Sequence, residues 1–143
     1  MAKTYRVTST VRFVNRIMQT LLRFGIAPKS IYLLTVQGRK SGKPHSTPVR
    51  LVEEDGNRWL VSPYGEVNWV RNARAAGQVT LTRGRQSETV SIVEIEPAES
   101  APVLMKFIRY APITRSYFDA NPDLPLKAFE AEAPRHPVFH ISR

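Results

Sequence analysis

Residues 35–65 read "TVQGRKSGKPHSTPVRLVEEDGNRWLVSPYG". Three apolar segments alternate here with two turn signals. Residues 30–36 and 47–53 are short runs rich in Val, Leu, Ile and Thr, which predicts two strands. The Asp55-Gly56 pair is the residue type that a two-residue hairpin turn demands, so residues 58–62 are expected to fold back as a third strand. The link between the first two strands, "GRKSGKPHSTP", combines Gly38 and Gly42 with Arg39, Lys40, Lys43 and three hydroxyl side chains.

Beyond this meander, Val67, Val70, Ala73 and Arg74 recur at three-to-four spacing and predict a helix over residues 67–76, ended by Gly77 as a left-handed cap. Residues 79–83 and 86–95 are expected as strands around a Gly84-Arg85 turn. Pro97 opens a helix that runs to about Tyr110 and stops at Pro112. A proline-rich stretch with a short helix follows, and residues 137–141 form a last strand. Upstream, Val11, Val14, Met18, Leu21 and Leu22 mark an amphipathic helix over residues 8–24, terminated by Gly25 and Pro28. About six strands follow one another mostly by hairpins. That order predicts an α+β chain built on an antiparallel, barrel-like sheet, not a doubly wound parallel one. We divide it into an N-terminal amphipathic helix, residues 1–28, and a barrel, residues 29–143, within a single domain.

The 143 residues suffice for one core. There is no cysteine, which excludes disulfides and thiolate metal sites, and no run of 18 apolar residues to span a bilayer. Arg12 and Arg16 interrupt the N-terminal apolar residues, so a secretory signal is not expected and the reading is cytoplasmic. Net charge is +9, and 15 of the 21 basic residues are arginine. Such a balance favours an anionic partner, and arginine grips phosphate or carboxylate with paired donors. Nucleic acid is not expected, because no recognition motif accompanies the charge.

The basic loop converges on an anion in three ways. Its glycines let consecutive N–H groups face one point, its cations add charge, and its hydroxyls add donors. The glycine spacing matches neither a P-loop nor a dinucleotide fingerprint. A second segment, "VSPYGEVNWVRN", leaves a strand and enters a helix whose N-terminus also favours anions.

Together, "TVQGRKSGKPHSTPVRLVEEDGNRWLVSPYG", "NWVRNARA" and "VTL" closely resemble the deazaflavin-dependent nitroreductase family, over about residues 30–95. The resemblance implies a split β-barrel of the FMN-binding type with flanking helices. It implies coenzyme F-420, whose tail is a phosphodiester carrying glutamates. By position, Gly38, Arg39, Lys40, Ser41 and Gly42 match the loop that holds that tail, and His45 stands where the family often has arginine. Thr47 and Pro48 match positions beside the deazaflavin ring. Val61, Ser62, Pro63, Tyr64 and Gly65 match the segment along its edge, and Asn68, Trp69 and Asn72 match the helix after it. Tyr110 matches an aromatic near the substrate and is the candidate proton donor.

The implied activity is hydride transfer from the reduced cofactor to an electron-poor lipophilic acceptor: a quinone, an unsaturated lactone or enone, or a nitro compound. The cofactor carries the hard chemistry, which accounts for the lack of a triad or carboxylate pair in the sequence. Phe107, Tyr110, Phe118 and Phe129 are read as lining an apolar pocket, and Trp69 as a core or ring-support residue. His45, His136 and His140 are too few and too scattered for a metal site. The N-terminal helix is expected to cover the substrate entrance or to rest on an anionic membrane, and the assembly to be a monomer or homodimer. Two alternatives stand beside this reading: an FMN-dependent split-barrel oxidoreductase, and a non-catalytic carrier of cofactor or fatty acid with the same fold.

Overall fold

Alternation along the strands decides how the chain closes. In the computed structural model, which describes Arg16, residues 30–110, Phe118 and residues 126–142, six strands form a closed antiparallel barrel in the order β1-β2-β3-β6-β5-β4. The strands are β1 (Ile31–Gln37), β2 (Pro44–Glu54), β3 (Asn57–Val61), β4 (Gln78–Arg83), β5 (Gln86–Glu94) and β6 (Val138–Ser142). The helices are α1 (Asn68–Ala76), α2 (Pro97–Tyr110) and α3 (Leu126–Glu132), the last running into a 3₁₀ turn, Ala133–Arg135. The expected amphipathic helix of residues 8–24 falls outside the described residues, apart from an exposed helical Arg16.

Inward-facing residues of all six strands make one core: Leu34, Val36, Val49, Leu51, Leu60, Val79, Leu81, Val90, Ile92, Phe139 and Ile141. Helix α1 contributes Val70 and Ala73 to this cluster and closes one end of the barrel. The outward residues Val52, Val61 and Val138 start a second core, completed by α2, Phe118, Phe129 and Ala133. A strand alternates its faces, so the neighbours Leu51 and Val52 each serve a different core, and both are fully buried.

The turns follow their residue types. Asp55 and Gly56 have φ of 51° and 80°, the pair of left-handed conformations that the β2–β3 hairpin requires. Gly77 caps α1 at φ 72° and donates its N–H to the Ala73 carbonyl.

One boundary differs from expectation. Strand β2 begins at Pro44, inside the segment read as loop, and carries Pro48 in its middle. Residues 44–50 pair only with β1, while β3 pairs with β2 over Leu51–Leu60 to Glu54–Asn57. The first half of β2 is therefore an edge on its β3 side, and an edge accommodates a residue without an N–H. This overhang splits the barrel wall beside Thr47 and Pro48.

Candidate cofactor site

The basic loop is a tight, self-bonded connection. Gly38 donates its N–H to the Lys43 carbonyl at 2.8 Å, and Gly42 donates to the Gly38 carbonyl at 2.9 Å. Gln37 Nε2 donates to the Gly42 carbonyl, and Ser41 Oγ accepts from the Lys43 N–H. A Cβ placed on Gly38 would lie 2.9 Å from both His45 Nε2 and Ser41 Oγ, so only glycine fits while those side chains hold their positions. Arg39, Lys40, Ser41, Lys43 and His45 all face solvent around this turn.

The second segment is a turn between β3 and α1. Ser62 is fully buried. Its N–H donates to the Pro137 carbonyl at 2.9 Å, and its Oγ donates to the Gly65 carbonyl at 2.5 Å. Gly65 has φ 90°, a conformation that strains any residue with a Cβ. Val67 then caps α1 without offering a side-chain oxygen, and no acidic residue lies in the helix's first turn. The N–H groups of Asn68 and Trp69 have no intrahelical partner by position, so an anion is favoured there.

Asn72 joins the two segments. It is 5% exposed, and its Oδ1 accepts from the Arg39 backbone N–H at 3.1 Å and from Arg39 Nη1 at 2.7 Å. The loop is thereby docked on the flank of the helix whose N-terminus follows the 62–65 turn. Gly38, Arg39, Lys40, Ser41 and Gly42 thus gather with Asn68 and Asn72 around α1, although 33 residues separate Arg39 from Asn72. Thr47 and Pro48 are half-buried on the β2 overhang, with Thr47 continuing the inward alternation of Val49 and Leu51. Trp69 packs against Phe139 with ring centroids 6.1 Å apart and adjoins the barrel core.

Opposing charge is neutralised locally. Glu66 accepts from Arg74 Nη1 at 2.6 Å, and Arg74 also forks onto both carboxylate oxygens of Glu94. The Arg74 hydrogen bond and charge hold the Glu66 carboxyl below the usual range, and the two carboxylates push Arg74 further up. The acid at the entry to α1 is thus matched by its own cation, and the loop's positive charge stays available to a ligand.

One sequence expectation needs adjustment, and one falls outside the described residues. Phe107, Phe118 and Phe129 are buried in the second core, so they are packing residues and do not line an open apolar pocket. Tyr110 is the last residue of α2, and its side chain lies outside the described residues.

The sequence reading also missed a buried pair. His136 Nδ1 lies 2.9 Å from the Pro63 carbonyl oxygen, and its Nε2 lies 3.1 Å from Glu132 Oε1. Burial pushes the imidazole pKa down, opposed by its bond to Glu132. The Glu-x-x-x-His spacing was the available signal. It was hidden because Pro134 and Pro137 made the segment read as turn and strand.

The donor set fits a long anionic ligand. Flexible cations, a hydroxyl, and an uncapped helix N-terminus lie on one side of the barrel, next to the 61–65 turn and the split wall, where a flat ring can be bordered. A deazaflavin with a phosphodiester and glutamates presents the matching charges.

The comparisons agree with this architecture. Residues 6–121 match the model of a family described as F420H(2)-dependent quinone reductase. No curated protein matches the chain. Among solved structures, one described as a domain-swapped dimer is 22% identical, covering 94% of this chain and 100% of its own, at TM-score 0.60. An F420-H2 dependent reductase is 24% identical over 80% of this chain and 95% of its own, at TM-score 0.54. A nimc/nima family protein from Clostridium acetobutylicum is 11% identical over 87% and 81%, also at 0.54. These likenesses carry the split-barrel fold, while the family match covers most of the chain and favours neither the FMN-dependent nor the non-catalytic reading. The chain belongs to the F420H(2)-dependent quinone reductase family, and is a split-barrel oxidoreductase that uses coenzyme F-420.

Proposed function

We propose that the chain reduces a lipophilic, electron-poor acceptor, a quinone first among them, at a ring site between the 61–65 turn and the β2 overhang. The observation that supports this placement most is the Arg39–Asn72 contact, which docks the basic loop beside the helix that follows the turn. When bound, the reduced deazaflavin supplies a hydride from a ring carbon.

In this reading the chain's own residues do the rest. Arg39, Lys40 and Ser41 bind the phosphate and carboxylates of the tail, with Gly38 and Gly42 giving the loop its shape and His45 flanking it. Val61, Ser62, Pro63, Tyr64 and Gly65 border one ring edge, and Thr47 and Pro48 lie beside the ring. Asn68 and Asn72 flank it from α1, and Trp69 supports it from the barrel side. Holding the ring and acceptor in register supplies much of the rate by proximity alone. The proton that completes the reduction comes from Tyr110 or from solvent.

Residues 1–28 are assigned the substrate entrance, with peripheral contact to an anionic membrane, and the working assembly is a monomer or a homodimer. No helix among the described residues is long and apolar enough to cross a membrane. The test is consumption of the reduced cofactor, followed by its absorbance, with a quinone, an enone and a nitroaromatic in parallel. Turnover with the quinone that falls sharply in Tyr64→Ala supports the site. Turnover unaffected by substitutions at both Tyr64 and Thr47 places the ring elsewhere.

A further inference from the structure

The Glu132–His136 pair is not used by the site as described, yet its bonds end on that site. Glu132 and His136 are 2% and 4% exposed. Phe118 stacks on the imidazole, with ring centroids 3.9 Å apart and an interplanar angle of 19°. Arg135 Nη2 approaches the same Glu132 oxygen at 3.5 Å. Burying an imidazole and a carboxyl is costly, and an apolar pair of similar volume would fill the space more cheaply. Core filling alone therefore does not account for these residue types.

The geometry has a direction. A carbonyl oxygen only accepts, so the contact to Pro63 requires the hydrogen on His136 Nδ1. The contact between Nε2 and Glu132 then needs a second hydrogen, on Nε2 or on the carboxyl, and with Phe118 on the ring face it fixes the imidazole's rotation. The 62–65 turn is tied at its ends by the Ser62 bonds, and His136 holds the carbonyl between them. Every peptide described is trans. In a planar trans peptide the carbonyl and the next N–H point in opposite directions. Holding the Pro63 oxygen therefore aims the Tyr64 N–H away from His136.

We propose that His136 is a positioning residue: through the Pro63 carbonyl it sets the orientation of the Pro63–Tyr64 peptide, and thereby the edge that this turn presents to the cofactor ring. Glu132 and Phe118 lock the imidazole for that purpose. The proposal rests on the reading that the 61–65 turn borders the ring.

The test uses the full chain labelled with ¹⁵N, without and then with the deazaflavin. His136→Phe keeps an aromatic face against Phe118 and removes the bond to Pro63, while His136→Asn returns an amide N–H near the Nδ1 position. In the cofactor-free protein, the Phe variant is expected to displace the Tyr64 amide resonance, and the Asn variant to restore most of it. Deazaflavin affinity should fall about tenfold in the Phe variant, the loss of roughly one hydrogen bond, and recover in the Asn variant. A role confined to stability would lower the melting temperature and leave both readouts in place, which would overturn the proposal. Should the Phe variant not fold, the wild type decides. Its buried Nδ1–H proton must shift on cofactor binding, and an unmoved resonance overturns the proposal. Cofactor that leaves the amides of Ser62, Tyr64, Gly65 and Glu66 of the wild type unmoved overturns the ring placement itself. An unmoved Tyr64 amide in His136→Phe overturns the positioning role alone.

Discussion

Asn72→Ala is the substitution that most sharply tests how the site is assembled. Its amide oxygen is buried and receives two hydrogen bonds from one residue of the loop, Arg39. The backbone bond contributes about 1 kcal/mol and the guanidinium bond about 1.5 kcal/mol, the low end for a charged partner because Arg39 is exposed and regains water when released. The loop thus loses at most about 2.5 kcal/mol of docking energy, and part returns through solvation. Deazaflavin binding must then re-dock the loop, so its affinity should fall by about 1–2 kcal/mol, roughly 5- to 30-fold. The assay is a fluorescence titration of the deazaflavin on wild type, Asn72→Ala, Arg39→Ala and the double variant. Because the two residues touch, the losses should be less than additive, with a coupling of at least about 0.5 kcal/mol. Unchanged or tighter binding in Asn72→Ala would refute the reasoning, since it would mean that Asn72 withholds Arg39 from the ligand.

Three further outcomes follow from the same geometry. Lys40→Ala should weaken deazaflavin binding by about 1–3 kcal/mol at low salt and by less as salt is raised, read from titrations at several ionic strengths. Gly65→Ala should cost about 1–2 kcal/mol of stability in chemical denaturation, because a Cβ is strained at φ 90°, while the nearest obstacle, the Arg135 carbonyl at 3.5 Å, is only ordinary contact. His136 has its pKa lowered in the folded state, so below about pH 6.5 the unfolded chain takes the proton first. Stability should therefore fall as pH drops from about 6.5 through the folded value, and thermal melts of a folded His136→Phe variant should lack this component.

Much of the fold could be read from local chemistry. The Asp55-Gly56 turn, the Gly77 cap and the alternation of β4 and β5 each depend on neighbouring residues only, and each stands where its residue types put it. The start of β2 was not legible, because Pro44 argues against a strand unless one knows that residues 44–50 have no β3 partner. Phe107 and Phe129 carried no mark distinguishing a packed core from an open pocket. Their burial depends on α2 and α3 meeting the outer face of the barrel. Arg39 and Asn72 were both singled out, but nothing local pairs them. Their contact arises only once β1 delivers the loop to the flank of α1.

The central claim is that this barrel takes a deazaflavin by its anionic tail. It is tested most directly by titrating the protein with coenzyme F-420 and with FMN at low and high salt. FMN shares a phosphate but lacks the glutamates. The account predicts tighter binding of F-420, with a preference that shrinks as salt screens the contacts to Arg39 and Lys40. FMN binding as tightly as F-420, or an F-420 affinity indifferent to salt, would contradict it.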